Sequence, residues 1–273
     1  MDALSTADTP LQSEIADDLQ TVVLRLADDH LILGHRLSEW CGHAPMLEED
    51  LSLPNMALDL LGQAQALYDY VVELDVDRGS SQSERKYSCA DDYAFLRSER
   101  EYVNCLMVER PNGDFAHTMA RQLFFAAMMK PFWNRQKSLP ITQLAAIAGK
   151  AEKEITYHLR HSAEWIIRLG DGTETSAVRA GDAIERLYPY LNELFDSDET
   201  YQRCAAAKLV PVLADVKTDW LAIITEVLAE AQLELPADDV ALSGGRKGQH
   251  TEDLGYLLAD LQYMQRTYPG AEW

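Results

Sequence analysis

Apolar residues return every three or four positions along most of this 273-residue chain, and runs of strict polar–apolar alternation do not occur. Such a pattern hides its hydrophobic surface by packing helix on helix, not by forming a sheet. The first long segment carries Leu19, Val22, Val23, Leu26, Leu33 and Leu37 at that spacing and predicts a helix over about 15–40. Only 14 glycines and 10 prolines interrupt the chain, and Ala, Leu, Glu and Asp dominate it, which favours helix further. No segment repeats at a period of 20–50 residues.

Further helices are expected over about 55–75, opening on Pro54; over "DYAFLRSEREYVNCLMVER"; and over "FAHTMARQLFFAAMMKPFW", with Asp114 as its N-cap and Pro131 as a kink or end. A long helix over about 141–169, closed by "GDGT", and others over about 174–196, 199–212 and 214–234 follow. Residues 236–255 read as a loop before a last helix capped by Thr251. The polar stretch 75–92 reads as a mobile connection, residues 1–14 as a flexible N-terminus, and 15–273 as a single domain. The fold class is all-α: a bundle of four long helices with additional short ones.

A net charge of -21 repels phosphate backbones and argues against nucleic acid as a partner; its plainer role is solubility. Cys41, Cys89, Cys105 and Cys204 lack any C-x-x-C spacing and read as mostly buried free thiols of a reducing compartment. There is no signal-peptide pattern and no apolar run of membrane-spanning length, so the chain is expected to be cytoplasmic.

A di-metal carboxylate bundle needs two Glu-x-x-His pairs and two more carboxylates, because i and i+3 point to one side of a helix. The one acid-x-x-His pair is Asp114-x-x-His117, better explained as a cap. His158-x-x-His161 lacks the acid, and His30 and His35 read as ordinary helix histidines. Gly244–Gly248 resembles a phosphate cradle without Walker spacing, the bland alternative being a flexible loop.

"LILGHRLSEWCGHAPMLEEDLSLPNMALDLLGQAQ", "VERPNGDFAHTMARQLFF", "KEITYHLRHSAEWIIRLGDGT" and "GGRKGQHTEDLGYLLADLQYMQRTYPG" resemble the C-subunit family of bacterial ring-1,2-phenylacetyl-CoA epoxidases, the phenylacetyl-CoA monooxygenases, from about residue 20 to the end. That resemblance implies a ferritin-like fold and a non-catalytic structural role beside a catalytic A subunit that holds di-iron and substrate. It also implies a small bridging subunit and a separate reductase, within aerobic phenylacetate degradation. No cofactor is expected on this chain. The alternative is a di-metal oxidase with a degenerate site. Whether the chain forms a homo-oligomer alone stays open.

Set against the pattern of the catalytic A subunit, Glu39 falls at the first-helix glutamate. Leu60 and Gln63 replace one Glu-x-x-His, and Ile155 and His158 stand at the other, where the histidine alone survives. Ala126 stands where the C-subunit pattern often has Asp. Lys150, Glu154 and His158 share one face of their helix, and Asp59 and Gln63 share one of theirs. The resulting expectation is that the Lys150 ammonium enters the emptied slot and pairs with Glu39, Asp59 or Glu154; the plainer reading is a solvated face. Arg246 and Lys247 are candidate contacts to the phosphates of coenzyme A. The apolar faces around 93–108 and 120–133 are either the interface with the partner or this chain's own core.

Overall fold

A computed structural model describes residues 13–77, 86–237 and 240–271. The expectations about residues 1–12 and 78–85 lie outside them. Among the described residues there is no strand. Four long helices form the bundle: α1 (Ser13–Ser38), α2 (Leu47–Asp77) and, after two short helices α3 (Ala90–Phe95) and α4 (Leu106–Glu109), α5 (Phe115–Gln136) and α6 (Thr142–Gly170). α1 packs against α2, and α5 against α6. The ferritin-like expectation is met.

Local chemistry accounts for the ends. Asp114 caps α5 by accepting from the His117 amide at 2.9 Å, so the acid-x-x-His pair is a cap. Gly170 ends α6 against the Ala231 carbonyl, which a Cβ there would meet at 2.1 Å. α2 begins eight residues earlier than its proline suggests. Glu48, Glu49 and Asp50 occupy its first turn, where carboxylates suit the helix dipole, and Pro54 lies inside it. Pro131 likewise lies inside α5, which runs on to Gln136.

The helix expected over 92–110 is broken into α3, a 3₁₀ turn (Glu99–Glu101) and α4. The reason is tertiary. The Val103 amide donates to Asp28 at 2.8 Å and the Cys105 amide to Asp29 at 2.7 Å, so these residues form a strap across α1. Downstream come α7 (Glu174–Leu187), a 3₁₀ segment (Tyr188–Phe195), α8 (Glu199–Ala206) and α9 (Leu213–Glu230). Pro189 accounts for the early end of α7. The 236–255 stretch contains a 3₁₀ turn at Gly245–Lys247 and leads into α10 (Glu252–Leu261) and α11 (Tyr263–Thr267), in place of the single expected helix. Thr251 is the N-cap of α10 by backbone position, without a capping bond from its side chain.

The core holds Tyr102, Phe124, Phe125, Phe132 and Trp133, all buried, so the apolar faces around 93–108 and 120–133 largely fill this chain's own interior. Cys105 and Cys204 are buried, but Cys41 and Cys89 are exposed, so the thiols are not mostly buried; all four are free. No helix among the described residues is long and apolar enough to cross a membrane.

Candidate functional site

The four long helices bring one layer of polar side chains into the bundle. α6 supplies His158, fully buried; its Nε2 lies 3.1 Å from Asp59 Oδ2 on α2, and the Gln122 amide of α5 donates to its Nδ1 at 3.2 Å. A neutral imidazole protonated on Nε2 satisfies both contacts. The Gln63 amide donates to Glu154 Oε2 at 2.9 Å, which ties α2 to α6 a second time. Glu49 makes the third tie, with His161 Nε2 at 2.8 Å and the Trp165 indole N–H at 2.9 Å. The His158-x-x-His161 spacing therefore serves two carboxylates of α2. Leu60, Ala126 and Ile155 are buried in the interior.

α1 contributes His30, which its sequence context marks as ordinary. Its Nδ1 lies 2.6 Å from the Leu26 carbonyl, so it carries the proton there, and its buried Nε2 has no partner. Burial pushes its pKa down to about 4, with the Leu26 carbonyl and the Gln63 side chain opposing. Gln63 Oε1 and Gln122 Oε1 are also buried without partners. Three acceptors in the slot thus lack donors. His30 was detectable as the one imidazole inside the stripe Leu26–Leu33–Leu37, and Gln122 as the residue one turn before Ala126.

Two expected members stand elsewhere. Glu39 follows α1, nine residues or about 13 Å along the axis from His30. It accepts from Arg36 at 2.8 Å and from Asn112 at 2.9 Å. Lys150 does not enter the slot: its side chain is 74% exposed and lies 3.5 Å from Glu154, an ordinary i,i+4 surface pair. An ammonium is better solvated outside, and the two carboxylates that meet His158 and Gln63, Asp59 and Glu154, keep 37% and 19% of their side-chain surface in solvent, so neither requires a buried cation.

These residues do not fit a di-iron centre. Leu60 and Ile155 stand where the two Glu-x-x-His pairs of such a centre need carboxylate charge, and Gln63 where one of them needs an imidazole. Among the described residues, no group of three or more His, Cys, Asp and Glu side chains is placed to hold a metal ion.

The glycine-rich turn is likewise committed internally. The amides of Gly244 and Arg246 donate to Glu193 Oε1 at 2.9 and 3.2 Å, so the cradle holds the chain's own carboxylate. Gly245 lies against the Asn104 carbonyl, which a Cβ would meet at 2.1 Å, and Gly248 has φ +70°. The Arg246 guanidinium pairs with Asp29 at 2.7 Å and donates to the Val103 carbonyl at 3.0 Å, which corrects its candidacy as a phosphate contact. Burial opposes the Arg246 charge, but Asp29 more than offsets it and holds the pKa above the usual arginine value. Lys247 remains exposed.

This turn belongs to a second buried polar region, between α1, the strap and the C-terminal loop. Asp28 pairs with buried Arg97 and accepts from the Tyr68 hydroxyl at 2.5 Å. Glu109 accepts from the Thr251 amide at 2.7 Å and Asn104 at 2.8 Å, and lies 2.8 Å from His250 Nδ1.

A model of the family described as phenylacetic acid catabolic protein matches residues 1–273. The chain is 42% identical over 257 residues to the C subunit of 1,2-phenylacetyl-CoA epoxidase of Escherichia coli (strain K12), covering 94% of this chain and 100% of that protein.

Proposed function

The chain belongs to the phenylacetic acid catabolic protein family, and on that premise we propose that it is the structural C subunit of a phenylacetyl-CoA-epoxidising monooxygenase complex. In this reading a related A subunit holds the di-iron centre and the thioester, and a small bridging subunit and a reductase complete the system in the cytoplasm. This chain holds no metal of its own and stabilises its catalytic partner through a helix-on-helix interface. The observation that carries the reading is the pairing of full-length similarity to an epoxidase C subunit with a bundle interior built on His30, Gln63, Gln122 and His158 instead of carboxylate ligands. The role of these residues is then to fill and cross-link the space between helices, not to bind a reactant.

The test is co-expression with the A subunit, separation of the two proteins, and iron analysis of each. About two irons on the A subunit and none on this chain is the expected outcome. Two irons held by this chain would establish it as a di-metal oxidase instead. Failure of the two to co-purify would remove the structural role.

A further inference from the structure

His250 lies between two acceptors. Its Nδ1 stands 2.8 Å from Glu109 Oε2 and its Nε2 2.9 Å from the Tyr102 carbonyl oxygen, and neither side chain of the His250–Glu109 pair is exposed. A backbone carbonyl can only accept, so Nε2 carries a proton. Glu109 also accepts from the Thr251 amide at 2.7 Å, the Thr251 hydroxyl at 2.9 Å and the Asn104 side-chain amide at 2.8 Å. Four donors around it fix it as an ionised carboxylate, so Nδ1 carries a proton as well. Both ring nitrogens donate only in the imidazolium.

The surrounding charges agree with that form. From α4 comes Glu109 itself. From α1, Asp28 adds attraction and is paired with Arg97. The strap contributes the Tyr102 carbonyl. On the loop's own side, Asp253 is answered by Arg110, and Lys247 is exposed. Burial opposes the ring's charge, but the bond to Glu109 prevails and holds the pKa above the usual histidine value. The charged form is therefore present at low pH and lost as the pH rises through that raised value.

We infer that His250 is a proton-operated latch between the strap and the C-terminal segment: loss of its second proton frees residues 249–271 to open while the bundle stays closed. With one proton left, the ring keeps the charge-assisted bond to the carboxylate, and Nε2 turns a lone pair towards the Tyr102 carbonyl. Two acceptors then face each other in a buried contact, which favours parting. Arg246 keeps its charge and its pair with Asp29, so the opening stops short of residues 244–248. Opening uncovers the buried face of α10, Leu254, Leu257 and Leu258.

The test reads the full-length chain from about pH 6 to about pH 9. Nitrogen NMR of the His250 ring is expected to show two protonated nitrogens at the acid end and a titration midpoint above the ordinary histidine value of about 6.5. Amide hydrogen exchange, corrected for its intrinsic pH dependence, is expected to show α10 opening about tenfold more often at the alkaline end, with α5 and α6 changed less than about twofold. H250Q, whose amide donates without titrating, is expected to hold α10 opening within about twofold across the range. A neutral ring at the acid end, a midpoint at or below the ordinary value, α10 opening that ignores pH, or a pH response that H250Q retains would each overturn the proposal. The first three are read on the wild-type chain, so they decide the matter even where H250Q misfolds.

Discussion

Two buried polar regions share α1 and treat their polar atoms differently. In the seam between α1, the strap and the C-terminal loop, every oxygen of Asp28, Asp29, Glu109 and Glu193 has a partner. Asn104 Oδ1, beside them, is buried without one. In the slot, only two residues further along the same helix, the charges lie near the rim and His30 Nε2, Gln63 Oε1 and Gln122 Oε1 go without donors. A paired charge in a dry interior is stable only while its partners remain, whereas an unmet neutral acceptor already costs about 1–3 kcal/mol and has little more to lose. The seam is therefore where the fold is fragile to substitution, and the slot is where it tolerates replacement.

The largest test of that contrast is Arg97→Met, which strands Asp28 without its cation. Urea unfolding should register a loss of about 3–5 kcal/mol; a loss below about 1 kcal/mol would erase the distinction. Arg246→Met should cost less, about 2–3 kcal/mol, because its guanidinium is less completely buried than that of Arg97, at 11% against 2% exposure, and it should expose the C-terminal loop to limited proteolysis.

Acidification separates the regions by sign. His30 must gain a proton on unfolding at any pH below its unfolded value of 6.5, so its folded value of about 4 makes stability fall from pH 6.5 towards 4, by roughly 3 kcal/mol. His30→Phe should flatten that decline. His250 is shifted the other way: burial opposes its charge, but the Glu109 carboxylate prevails. Its contribution is full below pH 6.5 and is lost as the pH rises through the raised value, so His250→Gln should remove an alkaline decline instead. Melting curves across pH for both variants check the pair of signs. The smallest effect belongs to Lys150→Met, under about 0.5 kcal/mol, as for any solvated helix pair.

Local chemistry made much of this legible beforehand. Asp114 before an apolar run and Gly170 before a polar turn mark helix ends because caps act within one turn. The strap was not legible. Its residues have helical spacing, and only carboxylates some 75 positions away, at Asp28 and Asp29, draw their amides out of that conformation. The slot was half legible. Gln63 and His158 stand at positions the family pattern marks, while His30 and Gln122 belong to no motif and are marked in the sequence only by an apolar stripe and by a place one turn before Ala126. Lys150 misled because spacing of four fixes which residues share a face but not whether that face turns inward.

The Glu193 carboxylate in the glycine-rich turn has one more consequence. An anion tethered to the same backbone never diffuses away, and its effective local concentration is on the order of millimolar or higher. Dissolved phosphate or a nucleotide tail competes for those amides against a resident that is always present. What looks in the sequence like an open receptor is thus a self-filled one. It spends its anion affinity on holding residues 244–248 to the segment that ends α7's run, and so fixes where the last helices of the chain begin.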